Sequence, residues 1–132
     1  MATIFTKIAE REIPAHIVAE DDNYLAFLDI NPLVEGHTLV IPKKEVDYVF
    51  DLDHQTLAGL FSFSKGVAKA IEKVIPCERI GVSVIGLEVP HAHVHLIPIN
   101  AVDDMNFSQM KLSPSKEELA ETAKKIKEAY GK

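Results

Sequence analysis

Residues 91–97 read His91-Ala92-His93-Val94-His95-Leu96-Ile97, and Pro98 follows them. Histidines alternate here with small or apolar residues, which is typical of a β-strand whose side chains point to the two faces in turn. Neighbouring imidazoles on one face would lie at most ~7 Å apart, because a strand rises ~3.3 Å per residue. Six histidines occur in the chain and three of them lie in this stretch. We expect them to act together, since adjacent imidazoles are costly to bury without partners.

Two kinds of chemistry use such a row of imidazoles. In nucleophilic catalysis, a neutral imidazole attacks phosphorus or carbon while its neighbours hold its tautomer and stabilise charge. In metal binding, neutral imidazoles act as ligands, and a His-x-His pair on a strand can chelate zinc. The spacing of the histidines alone is compatible with both.

The bulk properties indicate one globular domain over residues 1–132. Hydrophobic residues make up 47% of the chain and charged residues 26%, which are ordinary values for a soluble protein. No apolar run is long enough to span a membrane, and no signal peptide is evident. A single cysteine, Cys77, allows no internal disulfide, so we expect a cytoplasmic protein. The net charge of −6 makes polymeric nucleic acid an unexpected partner, whereas a small phosphorylated ligand is compatible with it.

The apolar spacing predicts three helices and five strands. The first helix would begin after the cap Thr3 and run to about Glu12, and a long helix would cover 54–74 behind the cap Asp53. A last helix would cover about 115–130 and begin with the capping box Ser115-Lys116-Glu117-Glu118. Alternation and β-branched residues predict strands over 16–20, 23–29, 37–42, 80–85 and 92–99. Residues 100–112 carry weak signals and are predicted as a loop.

This order of elements lacks the regular alternation of strand and helix that builds parallel sheets. It therefore predicts the α+β class, with a five-stranded antiparallel sheet and helices packed on one side. The apolar helix faces are compatible with a homodimer.

The stretch 91–97 resembles the histidine triad (HIT) motif, in which three histidines alternate with apolar residues. The resemblance extends in order over about residues 3–99, and the segments that carry it are 4–8, 12–15, 20–22, 25–30 and 36–43. It is closest to the nucleotide-binding and nucleotidyl hydrolase branch of that family. It implies a HIT-like fold, paired in a dimer into a continuous ten-stranded sheet.

The resemblance also implies roles for four histidines. His93 resembles the nucleophile, which would attack the α-phosphorus of a purine nucleotide and form a covalent nucleotidyl-histidine that water then hydrolyses. His91 and His95 would flank the phosphate and stabilise its developing charge, and His95 would assist the leaving group. His37 resembles the family's fourth histidine, which steadies the row.

The nucleotide site that the resemblance implies lies largely in the N-terminal half. Asp29 stands where the family binds the ribose hydroxyls, although a turn residue at the end of a strand is the ordinary interpretation of such an aspartate. Six apolar residues match positions that line the base pocket, although core packing explains any one of them alone: Phe5, Ile8, Ile13, Phe27, Leu28 and Ile30.

Two departures from the family pattern stand out. Where some relatives carry a Cys-x-x-Cys zinc site, this chain reads Thr3-Ile4-Phe5-Thr6, so we predict no structural metal and no cofactor. Before the triad, Leu87 and Glu88 stand where relatives carry polar or hydroxyl residues near the phosphate. Because a carboxylate repels phosphate, Glu88 would point away, contact a cationic leaving group or act as an acid.

Three functions compete at this level. The first is a nucleotidyl hydrolase or transferase acting on a phosphoramidate, an aminoacyl-adenylate or a dinucleoside polyphosphate. The second is a module that senses AMP-like ligands with little turnover. The third, ranked last, is a metal hydrolase, because the sequence places no carboxylate near the histidines at the usual ligand spacing.

Overall fold

Five antiparallel strands form one sheet in the computed structural model, which describes residues 2–132. The strands are β1 (Ile17–Glu20), β2 (Tyr24–Leu28), β3 (Thr38–Pro42), β4 (Arg79–Ser83) and β5 (Val94–Ile99), and they lie in the order β1-β2-β3-β5-β4. The predicted class and strand number are confirmed. The first two strands form a hairpin, in which Asp21 Oδ1 accepts from the backbone N–H groups of Asn23 and Tyr24, both at 2.8 Å.

Three helices accompany the sheet: α1 (Ile4–Ala9), α2 (His54–Val74) and α3 (Lys116–Ala129). The predicted caps are confirmed, because Asp53 accepts from Thr56 N at 2.6 Å and Ser115 forms a capping box with Glu118. The predicted extent of α1 to about Glu12 is wrong. The chain turns away after Ala9 because Arg11 adopts a left-handed conformation with φ of 65°.

The alternating side chains of the strands separate two clusters of apolar residues. On one face, Ala26 and Leu28 of β2 pack with the inner sides of α2 and α3. On the other face, Leu25 and Phe27 pack with Phe5 of the short α1. The two long helices therefore cover one side of the sheet, as expected, while α1 covers part of the other.

The triad stretch enters the centre of the sheet from a loop. β5 begins at Val94, two residues later than predicted, and pairs with β3 on one side and β4 on the other. Ala92 and Val94 still point into the core beneath the helices, so the alternation read from the sequence holds through the end of the loop. The histidines consequently lie on the face that carries α1.

Residues 100–112 are more ordered than the predicted loop. They contain a 3₁₀ turn, Val102–Met105, and Asp104 Oδ2 accepts from the backbone N–H groups of Asn100 and Ala101 at 2.8 and 3.0 Å. The segment is tied back to the sheet side by Leu112 N, which donates to Pro32 O at 2.9 Å. None of the helices between residues 2 and 132 combines the length and hydrophobicity needed to cross a membrane.

Candidate functional site

The three histidines of the triad stretch are buried side by side. Their exposed fractions are 0% for His91, 6% for His93 and 8% for His95, and the ring centroids of His93 and His95 are 4.9 Å apart. Every buried polar side-chain atom in the described part of the chain has a hydrogen-bond partner, so the cost of burying these imidazoles is offset.

The backbone of His91 sets the protonation of the His93 ring. Nδ1 of His93 lies 2.7 Å from the carbonyl oxygen of His91. A carbonyl only accepts, so Nδ1 carries the proton and donates, and a neutral His93 keeps its lone pair on Nε2. The ring therefore presents an unprotonated Nε2, which is the form that a nucleophile needs.

Two consecutive hydrogen bonds fix the tautomers of His37 and His95. Leu33 N donates to His37 Nδ1 at 3.1 Å, so the proton of a neutral His37 resides on Nε2. That Nε2 lies 3.0 Å from His95 Nδ1 and donates to it, which leaves the proton of His95 on Nε2. His95 thus offers an N–H group beside the unprotonated nitrogen of His93.

A glycine places His37 where it can reach His95. Gly36 has a φ of 92°, and a Cβ there would stand 3.0 Å from Ile75 Cγ1 and 3.2 Å from Pro98 Cγ. Any other residue would be strained at this turn. The turn leads directly into β3, with His37 only 1% exposed.

Burial keeps all four histidines neutral. It lowers the pKa of His37 to about 3, with a further contribution from the charge of His95, and it lowers the pKa of His95 to about 4. The pKa values of His91 and His93 are also lowered by burial, against opposing effects of their carbonyl hydrogen bonds. At neutral pH the site is a row of uncharged imidazoles.

A cleft of about 350 Å³ opens over His93 and His95. Five of the predicted nucleotide and catalytic residues line it with His93: Phe5, Asp29, His37, Glu88 and His95. The edge of the Phe5 ring packs against His93 with centroids 4.9 Å apart. The cleft has an apolar wall and a few polar groups, as small-ligand sites usually do.

The two carboxylate oxygens of Asp29 have different surroundings, one in the turn and one towards the cleft. Oδ1 accepts from Asn31 N at 2.9 Å, as a turn residue does, while Oδ2 faces His37 Nε2 at 3.8 Å. This contact is not an ion pair, because the pKa of His37, about 3, leaves the ring neutral. Burial raises the pKa of the Asp29 carboxyl.

The other predicted base-pocket residues do not line the cleft. Ile8 and Phe27 lie in the cluster around Phe5, and Ile13 packs against its margin. Leu28 points to the opposite face, into the core beneath α2 and α3, because its position alternates with that of Phe27. Ile30 lies beyond the end of β2 and is 60% exposed. Leu28 and Ile30 therefore do not lie in the wall of this cleft.

Sequence reasoning missed the contribution of residues 100–112. The ring of Phe107 packs edge-on against His95, with centroids 4.9 Å apart, and its centroid is 6.2 Å from that of His37. Lys111 also lines the cleft and donates to Phe107 O at 3.0 Å. Phe107 is the one aromatic residue between positions 100 and 112, and it is the signal that could mark this segment.

Asp29, His37 and His95 bring three potential metal-ligand atoms within 4.8 Å of one another. The carboxylate that the sequence did not place near the histidines is therefore present. However, His37 could bind a metal through Nε2 only by moving its proton to Nδ1, where Leu33 N already donates. The donor set does not fit a metal as it stands.

The chain is similar in sequence to several known proteins. The family model of the HIT domain matches residues 10–102. An uncharacterized HIT-like protein of Methanocaldococcus jannaschii is 42% identical over 102 residues, which are 72% of this chain and 77% of that protein. An adenosine 5'-monophosphoramidase of Saccharomyces cerevisiae is 37% identical over 74% of this chain and 62% of its own length. An asymmetrical bis(5'-nucleosyl)-tetraphosphatase of Schizosaccharomyces pombe is 34% identical over 65% of this chain and 52% of its own length.

Solved structures are similar over nearly the whole chain. A Hit-like protein from Bartonella henselae, described as involved in cell-cycle regulation, superimposes with a TM-score of 0.82 at 37% identity, covering 96% of this chain and 95% of its own. A hypothetical histidine triad nucleotide-binding protein from Sulfolobus tokodaii has a TM-score of 0.82 at 31% identity, covering 96% of this chain and 90% of its own.

Proposed function

This chain belongs to the HIT domain family, and on that basis we propose that it is a nucleotidyl hydrolase or transferase that works through a covalent nucleotidyl-histidine at His93. The observation that carries the proposal is the 2.7 Å hydrogen bond from His93 Nδ1 to the His91 carbonyl. It supports a nucleophilic role because it holds the lone pair on Nε2 of a ring that lines the cleft.

In the first step, His93 Nε2 supplies the electron pair that forms an N–P bond to the α-phosphorus. The bond from phosphorus to the leaving oxygen or nitrogen breaks at the same time, and its electron pair departs with the leaving group. The Nε2–H of His95 stabilises the departing atom by a hydrogen bond, and an amine leaving group takes up one proton from water.

In the second step, water attacks the phosphorus of the nucleotidyl-histidine. The N–P bond breaks, its electron pair returns to His93 Nε2, and a nucleoside monophosphate and one proton are released. During both steps, the hydrogen bond to Pro42 O keeps the His91 ring in place, and the hydrogen bond from His37 keeps the His95 ring in place.

The nucleotide would lie in the cleft with its ribose at Asp29 and its base against the apolar wall that includes Phe5. The Oδ2 atom of Asp29 is not used by the turn and could accept from a ribose hydroxyl. The names of the yeast and fission-yeast relatives support a phosphoramidate or a dinucleoside polyphosphate as substrate, and an aminoacyl-adenylate has the same scissile centre.

The decisive experiment is mass spectrometry of protein quenched in acid after mixing with adenosine 5'-phosphoramidate or, separately, a diadenosine polyphosphate. We expect an adduct of one AMP on His93 that is absent from His93→Ala. His54→Ala removes an exposed histidine at the start of α2 and serves as the matched control, which should keep the adduct. Nucleotide binding without an adduct or AMP release would instead indicate an AMP-sensing module.

We further infer that the protein forms a homodimer through β4. This strand lies at the end of the sheet, where its outer backbone groups are free to pair with another strand. The exposed side chains of Val82 on β4 and Phe61 on α2 add apolar surface on the helix-covered side. Ile85 and Leu87 line both the catalytic cleft and an adjacent apolar groove, so the interface would adjoin the site.

Light scattering coupled to size-exclusion chromatography tests the dimer. Val82→Lys should give a monomer, while Met110→Lys, which places the same charge on an exposed apolar residue of the 100–112 segment, should leave the dimer intact. A wild-type monomer at micromolar concentration would contradict the inference.

A further inference from the structure

The hydroxyl group of Thr3 is hydrogen-bonded both to the first helix and to the histidine triad. Thr3 Oγ1 accepts from Thr6 N at 3.1 Å and so caps the N-terminus of α1. The same oxygen lies 2.9 Å from Nδ1 of His91, 88 residues away in the chain. The beginning of the chain is thereby joined to the histidine stretch through buried atoms.

The direction of these hydrogen bonds follows from their partners. Nε2 of His91 lies 2.8 Å from the carbonyl oxygen of Pro42 and therefore carries the proton that it donates. A neutral His91 then has its lone pair on Nδ1, so the hydroxyl of Thr3 must donate to it. Both nitrogens of the His91 ring therefore have a complementary partner, and Thr3 Oγ1 also lies 3.4 Å from Thr6 Oγ1.

The carboxylate of Glu45 accepts hydrogen bonds from both threonines. Its Oε1 accepts from Thr3 N at 2.9 Å and from the hydroxyl of Thr6 at 2.5 Å. Because the hydroxyl proton of Thr6 is directed to the carboxylate, Thr6 does not compete with Thr3 as the donor to His91, although its oxygen lies only 3.3 Å from Nδ1. The carboxylate thus orders both threonines.

We propose that Thr3 is a positioning residue for His93, acting through His91, and that Glu45 holds Thr3 in the orientation this requires. The path has three links: Glu45 orders the threonines, the Thr3 hydroxyl fixes the ring of His91, and the carbonyl of the same His91 accepts from Nδ1 of His93 at 2.7 Å. The Nδ1 hydrogen bond of His93 and its contact with the Phe5 ring would then both depend on α1, because Phe5 belongs to this helix.

The importance of the second link, the hydrogen bond from Thr3 to His91, follows from burial. His91 is fully buried, so an Nδ1 without a donor would leave an unsatisfied polar atom in the core. The ring would rotate or shift to find a partner and would take its carbonyl with it. Displacements of about 1 Å at a reacting group can cost on the order of 10²-fold in rate, so a small shift of His93 would be measurable.

The test compares Thr3→Val, which removes the donor while keeping the shape, with Thr3→Ser, which restores it. The first readout needs no substrate: the exchange rate of the His93 Nδ1 proton and the ¹⁵N shift of His91 Nδ1, both measured by NMR. Thr3→Val should speed that exchange and move the ¹⁵N shift, and Thr3→Ser should return both toward the wild-type values. An unchanged spectrum in Thr3→Val would overturn the proposal.

The second readout rests on the proposed function. Thr3→Val should lower kcat about tenfold to a hundredfold while the Kd for AMP changes little, because the loss concerns alignment rather than binding. Ser115→Ala removes an equivalent cap from α3, remote from the site, and should leave kcat unchanged. An equal loss of kcat in Ser115→Ala would show that only helix stability matters and would overturn the proposal.

Glu45 provides a second pair of variants that should fold in any case, because its side chain is exposed. Glu45→Ala removes the acceptor and should reproduce part of the effect on His93 exchange, while Glu45→Gln keeps an acceptor oxygen and should reproduce little of it. If the wild-type protein turned over no nucleotide, the proposed function would fail, yet the NMR comparison would still decide whether Thr3 and Glu45 position His93.

Discussion

The Nε2–H of His37 donates to Nδ1 of His95 across 3.0 Å, and this bond decides which nitrogen of His95 can act on a ligand. Leu33 N fixes the direction by donating to the opposite side of the His37 ring at 3.1 Å. The backbone N–H of Leu33 therefore determines, through the ring of His37, that the proton of His95 lies on Nε2. Phe107 covers both rings and limits their contact with water.

His37→Ala should lower kcat about tenfold or more, because the released His95 could carry its proton on either nitrogen. His37→Gln is the matched control, since its side-chain amide can still donate to His95, and it should retain more activity than His37→Ala. The measurement is steady-state kinetics with an adenosine phosphoramidate whose leaving group is an amine. Equal rates for wild type and His37→Ala would contradict this role of the hydrogen bond.

Acid should unfold the protein through His37 and His95. Their pKa values fall from 6.5 when unfolded to about 3 and about 4 when folded, so the unfolded chain binds more protons between these limits. The stability due to their neutral forms is complete above pH 6.5 and is lost as the pH falls through this window. At pH 5 the loss is about 2 kcal/mol for each histidine.

Urea titrations between pH 7 and 5 measure this effect as the slope of the unfolding free energy against pH. His37→Gln should reduce the slope by about 1 kcal/mol per pH unit averaged over this range, rising towards the one-proton limit of about 1.4 kcal/mol per pH unit near pH 5. Gln55→Ala, a change of an uncharged residue at an exposed position of α2, should leave the slope unchanged. A slope for His37→Gln equal to that of wild type would show that His37 is not the titrating group.

Local patterns predicted most of the fold because their physical causes are local. The caps Asp53 and Ser115 and the apolar stripe of α2 depend on neighbouring residues, and the structure has them where the sequence indicated. The sequence predicts the last residue of α1 and the first residue of β5 less accurately. The left-handed conformation of Arg11 cannot be predicted from its residue type. Residues 92–93 lie in a loop whose backbone hydrogen bond is to a residue distant in the sequence.

The candidate site was predictable where it lies on alternating strand residues, and not elsewhere. His93 and His95 share a face of the sheet because their positions differ by two, whereas Leu28 alternates away from the cleft for the same reason. Phe107 reaches His95 only through the fold of residues 100–112. No periodicity in the sequence encodes such a contact between remote segments.

Asp29 should matter only for nucleotides that have ribose hydroxyls. Asp29→Ala should raise the Kd for AMP about tenfold or more, as expected when a hydrogen bond to a charged group is lost. The Kd for 2',3'-dideoxy-AMP should be weak in the wild type and little changed by the substitution. Asp29→Asn keeps the acceptor for Asn31 N and controls for the turn. An equal loss for both nucleotides would assign Asp29 to the turn alone.

Glu88 should select substrates by the charge of the leaving group. It lines the cleft, and its charge acts on His93, where it raises the pKa against the larger effect of burial. A carboxylate near the reacting nitrogen repels an anionic leaving group and attracts a cationic one. Glu88→Gln should therefore raise kcat/KM for a diadenosine polyphosphate and lower it for a phosphoramidate with a cationic amine, each by about twofold to tenfold at low salt.

The salt dependence separates this electrostatic effect from a change in shape. Because Glu88 is exposed, added salt should screen its charge, and the difference between wild type and Glu88→Gln should shrink as the ionic strength rises. Glu128→Gln makes the same change of net charge on α3, away from the cleft, and should not alter the preference between the two substrates. If Glu88→Gln slowed both substrates equally, Glu88 would act as an acid or as a structural residue and not through selection by charge.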